Sequence, residues 1–118
     1  MSTVEKPMIV EVNRYYRPRT FNNKVFSDRG VTIMYTLDYN THMFTAKWSI
    51  CQGDNFSKVT GIQYAQACSY PVVGPITPGM KLNEMLAGRC HELLINELKD
   101  DRTRRNILLL VTEIMESL

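Results

Sequence analysis

The chain has 118 residues, 44% of them hydrophobic and 22% charged, a composition that fits one globular domain and excludes a disordered or low-complexity chain. A formal net charge of +2 is too small to argue for nucleic acid by itself, so the placement of charge matters more than its sum. Three widely spaced cysteines, Cys51, Cys68 and Cys90, speak against a secreted disulfide framework and for reduced thiols in a cytoplasm.

The opening MSTVEKPMIVEV is acidic with only a short apolar run, and reads as neither signal peptide nor membrane anchor. The longest apolar run, residues 107–111, is too short to span a bilayer. A cytoplasmic chain with no membrane partner is expected. Residues 7–12 read as a short extended segment within an N-terminal arm, residues 1–30. Arg14-Tyr15-Tyr16-Arg17-Pro18-Arg19 follows, a basic and aromatic stretch whose proline and neighbouring turn residues predict loop or edge structure.

From Val31 the β signal is clear, with Val31, Ile33, Tyr35 and Leu37 alternating with Thr32, Met34 and Thr36. Asp38-Tyr39-Asn40-Thr41 supplies a turn, and Phe44, Ala46, Trp48 and Ile50 occupy one face of a returning strand, giving a hairpin over residues 31–51. The polar corner Gln52-Gly53-Asp54-Asn55 then leads into a short helix over 55–68, with Asp54 or Ser57 as its cap. Gly61 weakens that helix by about 1 kcal/mol relative to alanine. Residues 69–79 carry three prolines and two glycines and form an extended connection with room for one edge strand.

Thr77-Pro78 has the form of an N-cap followed by proline at the first helical position. Residues 80–118 are helical, as two helices or one sharply bent, with Asp101 or Thr103 as a cap at the corner. The fold expected is α+β: a small antiparallel sheet, built from the hairpin and edge segments, packed against C-terminal helices as a single domain.

Nothing in the sequence forms a catalytic set. His42 and His91 lie far apart, Cys51 and Cys90 sit among apolar residues and read as buried thiols, and Glu84, Glu92, Glu97 and Glu113 suit solvated helix faces. A non-enzymatic chain without cofactor or metal is expected. Binding is the better theme. The corner offers Asp54, Asn55, Phe56 and Lys58 at a helix start, where backbone N–H groups attract anions; Phe56 either tucks into the core or offers a face to a base. Arg102, Thr103, Arg104 and Arg105 form the densest basic cluster, with guanidinium forks suited to phosphate. Together these predict a pocket for a nucleotide-like anion. Arg14, Tyr15, Tyr16, Arg17 and Arg19 make a second candidate surface, of the kind that binds nucleic acid. The C-terminal segment is apolar nearly all round, so Ile107, Leu109, Leu110, Val111, Ile114 and Leu118 are expected to pair with another copy of the chain.

The run Trp48-Ser49-Ile50-Cys51, followed by Gly53-Asp54-Asn55-Phe56-Ser57-Lys58 and Gly61-x-x-x-Ala65, resembles small accessory proteins of bacteriophages. Within that group it is similar to the Thoeris anti-defence family of cyclic-nucleotide sponges. The likeness covers residues 31–67. It implies a small α+β oligomer that sequesters a nucleotide signal in pockets at subunit interfaces, inside the host cytoplasm. The alternatives from the residues are an inhibitor that contacts a host defence or nucleic-acid enzyme directly, and a small nucleic-acid-binding protein.

Overall fold

In the computed structural model, which describes residues 8–19, 22, 24, 26 and 28–117, strands β2 (Arg29–Asp38) and β3 (Met43–Gln52) form the hairpin that the alternation calls for. Val31 pairs with Ile50, Ile33 with Trp48, Tyr35 with Ala46 and Leu37 with Phe44. Directly opposed residues share a face, so both apolar sets point the same way. At the turn, Asp38 Oδ1 accepts the Asn40 N–H at 2.9 Å. His42 takes a φ of 57° there, and its carbonyl accepts the Ile76 N–H at 2.8 Å.

β1 (Ile9–Tyr16) pairs antiparallel with β2, and β4 (Val72–Pro75) with β3, giving the order β1-β2-β3-β4. The basic and aromatic stretch therefore begins inside an edge strand and leaves it after Tyr16.

Helix α1 (Lys58–Gln66) is shorter at both ends than the 55–68 expected, and Ser57, not Asp54, is its cap, accepting the Thr60 N–H at 3.4 Å. Thr77-Pro78 does not open a helix. Gly79 stands at φ 81°, outside helical space, and α2 (Leu82–Glu92) begins only beyond it. The chain then widens into a π turn (Leu93–Glu97), closed by the Leu98 N–H to the Leu93 carbonyl at 2.7 Å. Leu98 is extended, and α3 (Asp101–Glu116) follows as a separate helix. Its cap is Asp100, in place of Asp101 or Thr103: one carboxylate oxygen accepts the Thr103 N–H at 2.9 Å and its hydroxyl at 2.7 Å.

The helices take opposite sides of the sheet. Val31, Ile33, Tyr35, Leu37, Phe44, Ala46 and Val72 cluster with Met85, Leu86, Cys90 and Leu93, and with Ile107, Leu110 and Ile114 of α3. Burial there pushes the Cys90 thiol up to about 12. Cys51, by contrast, is half-exposed rather than buried. On the other face, α1 lies against Thr32 and Ser49.

This arrangement corrects the expected oligomer surface. Ile107, Leu110 and Ile114 are fully buried in the chain's own core, and Leu109 and Val111 are half-buried. The excess apolar surface that pointed to a partner is largely absorbed by the sheet. Leu118 lies outside the described residues. Glu113, expected on a solvated face, is 1% exposed and accepts from Arg29 at 2.6 Å and from Gln52 at 3.3 Å.

Phe44 is wholly buried against Tyr35. Phe44→Ala is expected to cost about 3–5 kcal/mol in urea unfolding; a loss within experimental error would remove this ring from the core.

Hydrogen bonds from the Thr103 hydroxyl and amide hold the exposed Asp100 carboxyl below its usual range. A lowered carboxyl pKa adds stability above the unfolded value of about 3.9, and the contribution fades as pH falls through the lower folded value. The parent should therefore exceed Asp100→Asn in urea midpoint at neutral pH and lose that margin as pH falls below the ordinary carboxyl range. A margin that does not change with pH would contradict the assignment.

Candidate functional site

α1 sits close to the sheet because Gly61 lets it. A Cβ at Gly61 would overlap the Thr32 hydroxyl, and Ser49 Oγ donates to the Gly61 carbonyl at 2.9 Å. The residue that weakens the helix on propensity grounds is the one on which helix and sheet meet. Beside that contact lies a cavity of about 520 Å³. The sheet contributes Thr32, Ser49 and Cys51, and the corner contributes Asp54, Asn55 and Phe56. α1 contributes Ser57, Thr60 and Tyr64, spaced to fall on one side of a helix.

Phe56 lines this cavity without being either a core residue or an open platform. The Arg17 guanidinium lies 4.7 Å from its ring centroid, and Tyr15 meets it edge to face at 6.4 Å. Gly30 approaches so closely that a Cβ there would overlap the ring. Arg17 is itself fixed by a 2.5 Å hydrogen bond to the Phe26 carbonyl. A base could stack on Phe56 only by displacing this clamp. Lys58 is also engaged, its ammonium 4.9 Å from the Tyr15 centroid.

Two segments read separately in the sequence therefore meet. Tyr15 and Arg17 of the basic and aromatic stretch join Phe56 and Lys58 of the corner in one cation–aromatic row. The rest of the stretch does not join it. Tyr16 is half-buried toward the core face, where desolvation raises its phenol pKa. Arg14 is exposed and donates to the Asn13 carbonyl at 3.2 Å, and Arg19 is exposed.

The basic cluster of α3 is on the far side of the sheet and does not complete the cavity. Thr103 is bound to Asp100. Arg104 donates to the Leu94 carbonyl at 2.5 Å and the Leu98 carbonyl at 2.8 Å, filling acceptors left open by the π turn and the break after it. Arg102 and Arg105 are exposed. The predicted pairing of the corner with these arginines, expected from the same or a neighbouring subunit, is corrected for a single chain by the strand alternation, which sends α1 and α3 to opposite faces.

Ser49, Cys51, Thr60 and above all Tyr64, 67% exposed at the cavity, were missed as site residues. The spacing of Ser57, Thr60 and Tyr64 was the available signal. Comparison with protein-family models, curated proteins and solved structures finds no match to this chain.

Gly61→Val places a branched side chain against Thr32 and should lift α1 from the sheet. Amide exchange over residues 58–66 is expected to quicken by about tenfold or more; unchanged protection would show that the close approach is not what holds the helix.

Proposed function

We propose that the chain binds a nucleotide-like anion in the cleft between α1 and the sheet and holds it without converting it. The observation that carries this reading is that Tyr64 and the first turn of α1 line the same cavity. They stand seven residues apart, about 10 Å along a helix, a separation that suits a base at one end and a phosphate at the other. Tyr64 offers the ring face that Phe56 does not, and stacking on an aromatic ring accepts any base. The N–H groups at the start of α1 favour negative charge. Ser49, Thr60 and Asn55 supply donors and acceptors between the two ends, and the cavity volume falls in the range of small-molecule sites.

Retention rather than turnover is the simpler reading of a wall whose described residues include one carboxylate, Asp54, and no histidine. The wider role rests on the resemblance of residues 31–67: a phage accessory protein that keeps a signalling nucleotide from a host defence. The α3 arginines have no part in this version of the site, and Lys58 acts at its rim.

The test is calorimetric titration of the full chain with a panel of linear and cyclic nucleotides. At least one should bind, and Tyr64→Ala should weaken it by about tenfold, the loss of one stacking contact, with the melting temperature unchanged. Equal affinity in the variant, or no binding by any nucleotide, would overturn the reading.

A further inference from the structure

β3 is longer than the strand that covers it. β4 pairs with it only from Met43 to Ala46, whereas β3 runs on to Gln52. The direction of its backbone groups follows from two hydrogen bonds just past its ends. The Gly53 N–H reaches the Asp28 carbonyl at 3.0 Å on the β2 side, and the His42 carbonyl accepts the Ile76 N–H at 2.8 Å on the β4 side. Because these directions alternate along a strand, odd-numbered residues of β3 face β2 and even-numbered ones face outward. Beyond Ala46 the outward residues are Trp48, Ile50 and Gln52. Their backbone N–H and C=O groups find no hydrogen-bond partner among the described residues.

The chain's own next segment does not close this edge. Extending the β3–β4 register would set Tyr70 opposite Trp48 and Cys68 opposite Ile50. The Cys68 N–H goes instead to the Ala65 carbonyl at 3.0 Å, and the Tyr70 carbonyl accepts from the Trp48 indole at 3.1 Å. Between this segment, β3 and α3 lies a cavity of about 370 Å³. It shares Ile50 and Gln52 with the α1 cleft, so the open edge has a hollow on each of its faces.

An occupant of this edge must offer donors and acceptors in strand alternation and send successive groups to opposite sides. An extended polypeptide does both. The two hollows fix the side chains it carries. The α3-side cavity is walled by Trp48, Tyr70, Ile107 and Leu109, with no charged residue in its lining among the described residues; it suits an apolar side chain. The α1 side meets the helix start and the hydroxyls of Ser49, Ser57 and Thr60, which suit an acidic one.

We infer that the open edge of β3, from Trp48 to Gln52, receives an extended segment of another protein as an added strand, with apolar and acidic residues in alternation. The stretch is about 17 Å long, room for about five residues. α1 and α3 stand over its two faces, so a single slender strand enters where the broad sheet of a second copy does not. The inference is separate from the ligand reading, because its hydrogen bonds lie on the strand edge and are measured with no nucleotide present.

Selection of a random short-peptide library against the full chain, followed by amide exchange with the selected peptide, tests the assignment. In the free chain the amides of Trp48, Ile50 and Gln52 should be at least about tenfold less protected than those of Lys47, Ser49 and Cys51. The selected peptide should slow them by about tenfold or more, and should carry apolar residues at every second position. N-methylation at alternate positions of the peptide should abolish binding in one phase and leave it intact in the other. Asn106→Trp, at an exposed position on the wall of the α3-side cavity, should weaken the peptide by about tenfold, with the circular dichroism melt unchanged. Protection of Trp48, Ile50 and Gln52 in the free chain would overturn the inference, and protection that rises with protein concentration would assign the edge to a second copy instead. Failure to select any peptide, or a peptide that tolerates N-methylation at every position, would also overturn it.

Discussion

The two-residue alternation of β2 and β3 is the constraint on which the rest depends. It gives the central hairpin one face of Val31, Ile33, Tyr35, Phe44 and Ala46 and another of Thr32 and Ser49. The first face buries enough apolar surface to recruit α2 and α3. The second is too polar for a core, and takes a short helix that touches it at Gly61 and leaves a cleft beside the contact. A slip of one residue in the hairpin register would exchange the two faces, exposing the apolar set and burying hydroxyls without partners. Core and cleft are thus two results of one pairing.

Much of this was legible in the residues. The hairpin could be read because its period is local and its turn is closed by Asp38 itself. The separation of the last two helices was only half legible: the polar residues 99–103 suggest a corner, while Asp100 and Asp101, four residues before Arg104 and Arg105, suit one continuous helix equally well. Other features could not be read, each for a physical reason. Thr77-Pro78 has the chemistry of a helix start, but Gly79 adopts a conformation no helix permits, and glycine alone does not announce which sign of φ it will take. The π turn keeps the composition of the α-helix before it, so its wider hydrogen bonding leaves no mark in the sequence.

The candidate site was half legible. The corner was visible as a helix start, and Asp54, Asn55 and Phe56 do line a cavity. The clamp on Phe56 was not visible, because Arg17 and Gly30 reach the ring only through tertiary structure. Arginines in the first turn of α3 oppose the helix dipole. For Arg104 the conflict is answered from within, by carbonyls that the π turn leaves open. Gly61 teaches the converse. Its cost in helix propensity was plain, while its purpose, room for Thr32, appears only when the helix is laid on the sheet.

The contact between Arg29 and Glu113 joins residues 84 positions apart, and it bears on the order in which the chain acquires its structure. The hairpin and its β1 neighbour lie near one another in sequence and can pair early, but contacts as distant as this one are slow to close. During synthesis the sheet would leave the ribosome with the Val31, Ile33 and Phe44 face uncovered until α2 emerged, and only partly covered until α3 followed. The polar cover supplied by α1 to the opposite face arrives much sooner. The nascent sheet is therefore one-sided at first, covered by α1 on its polar face and sticky on its future core.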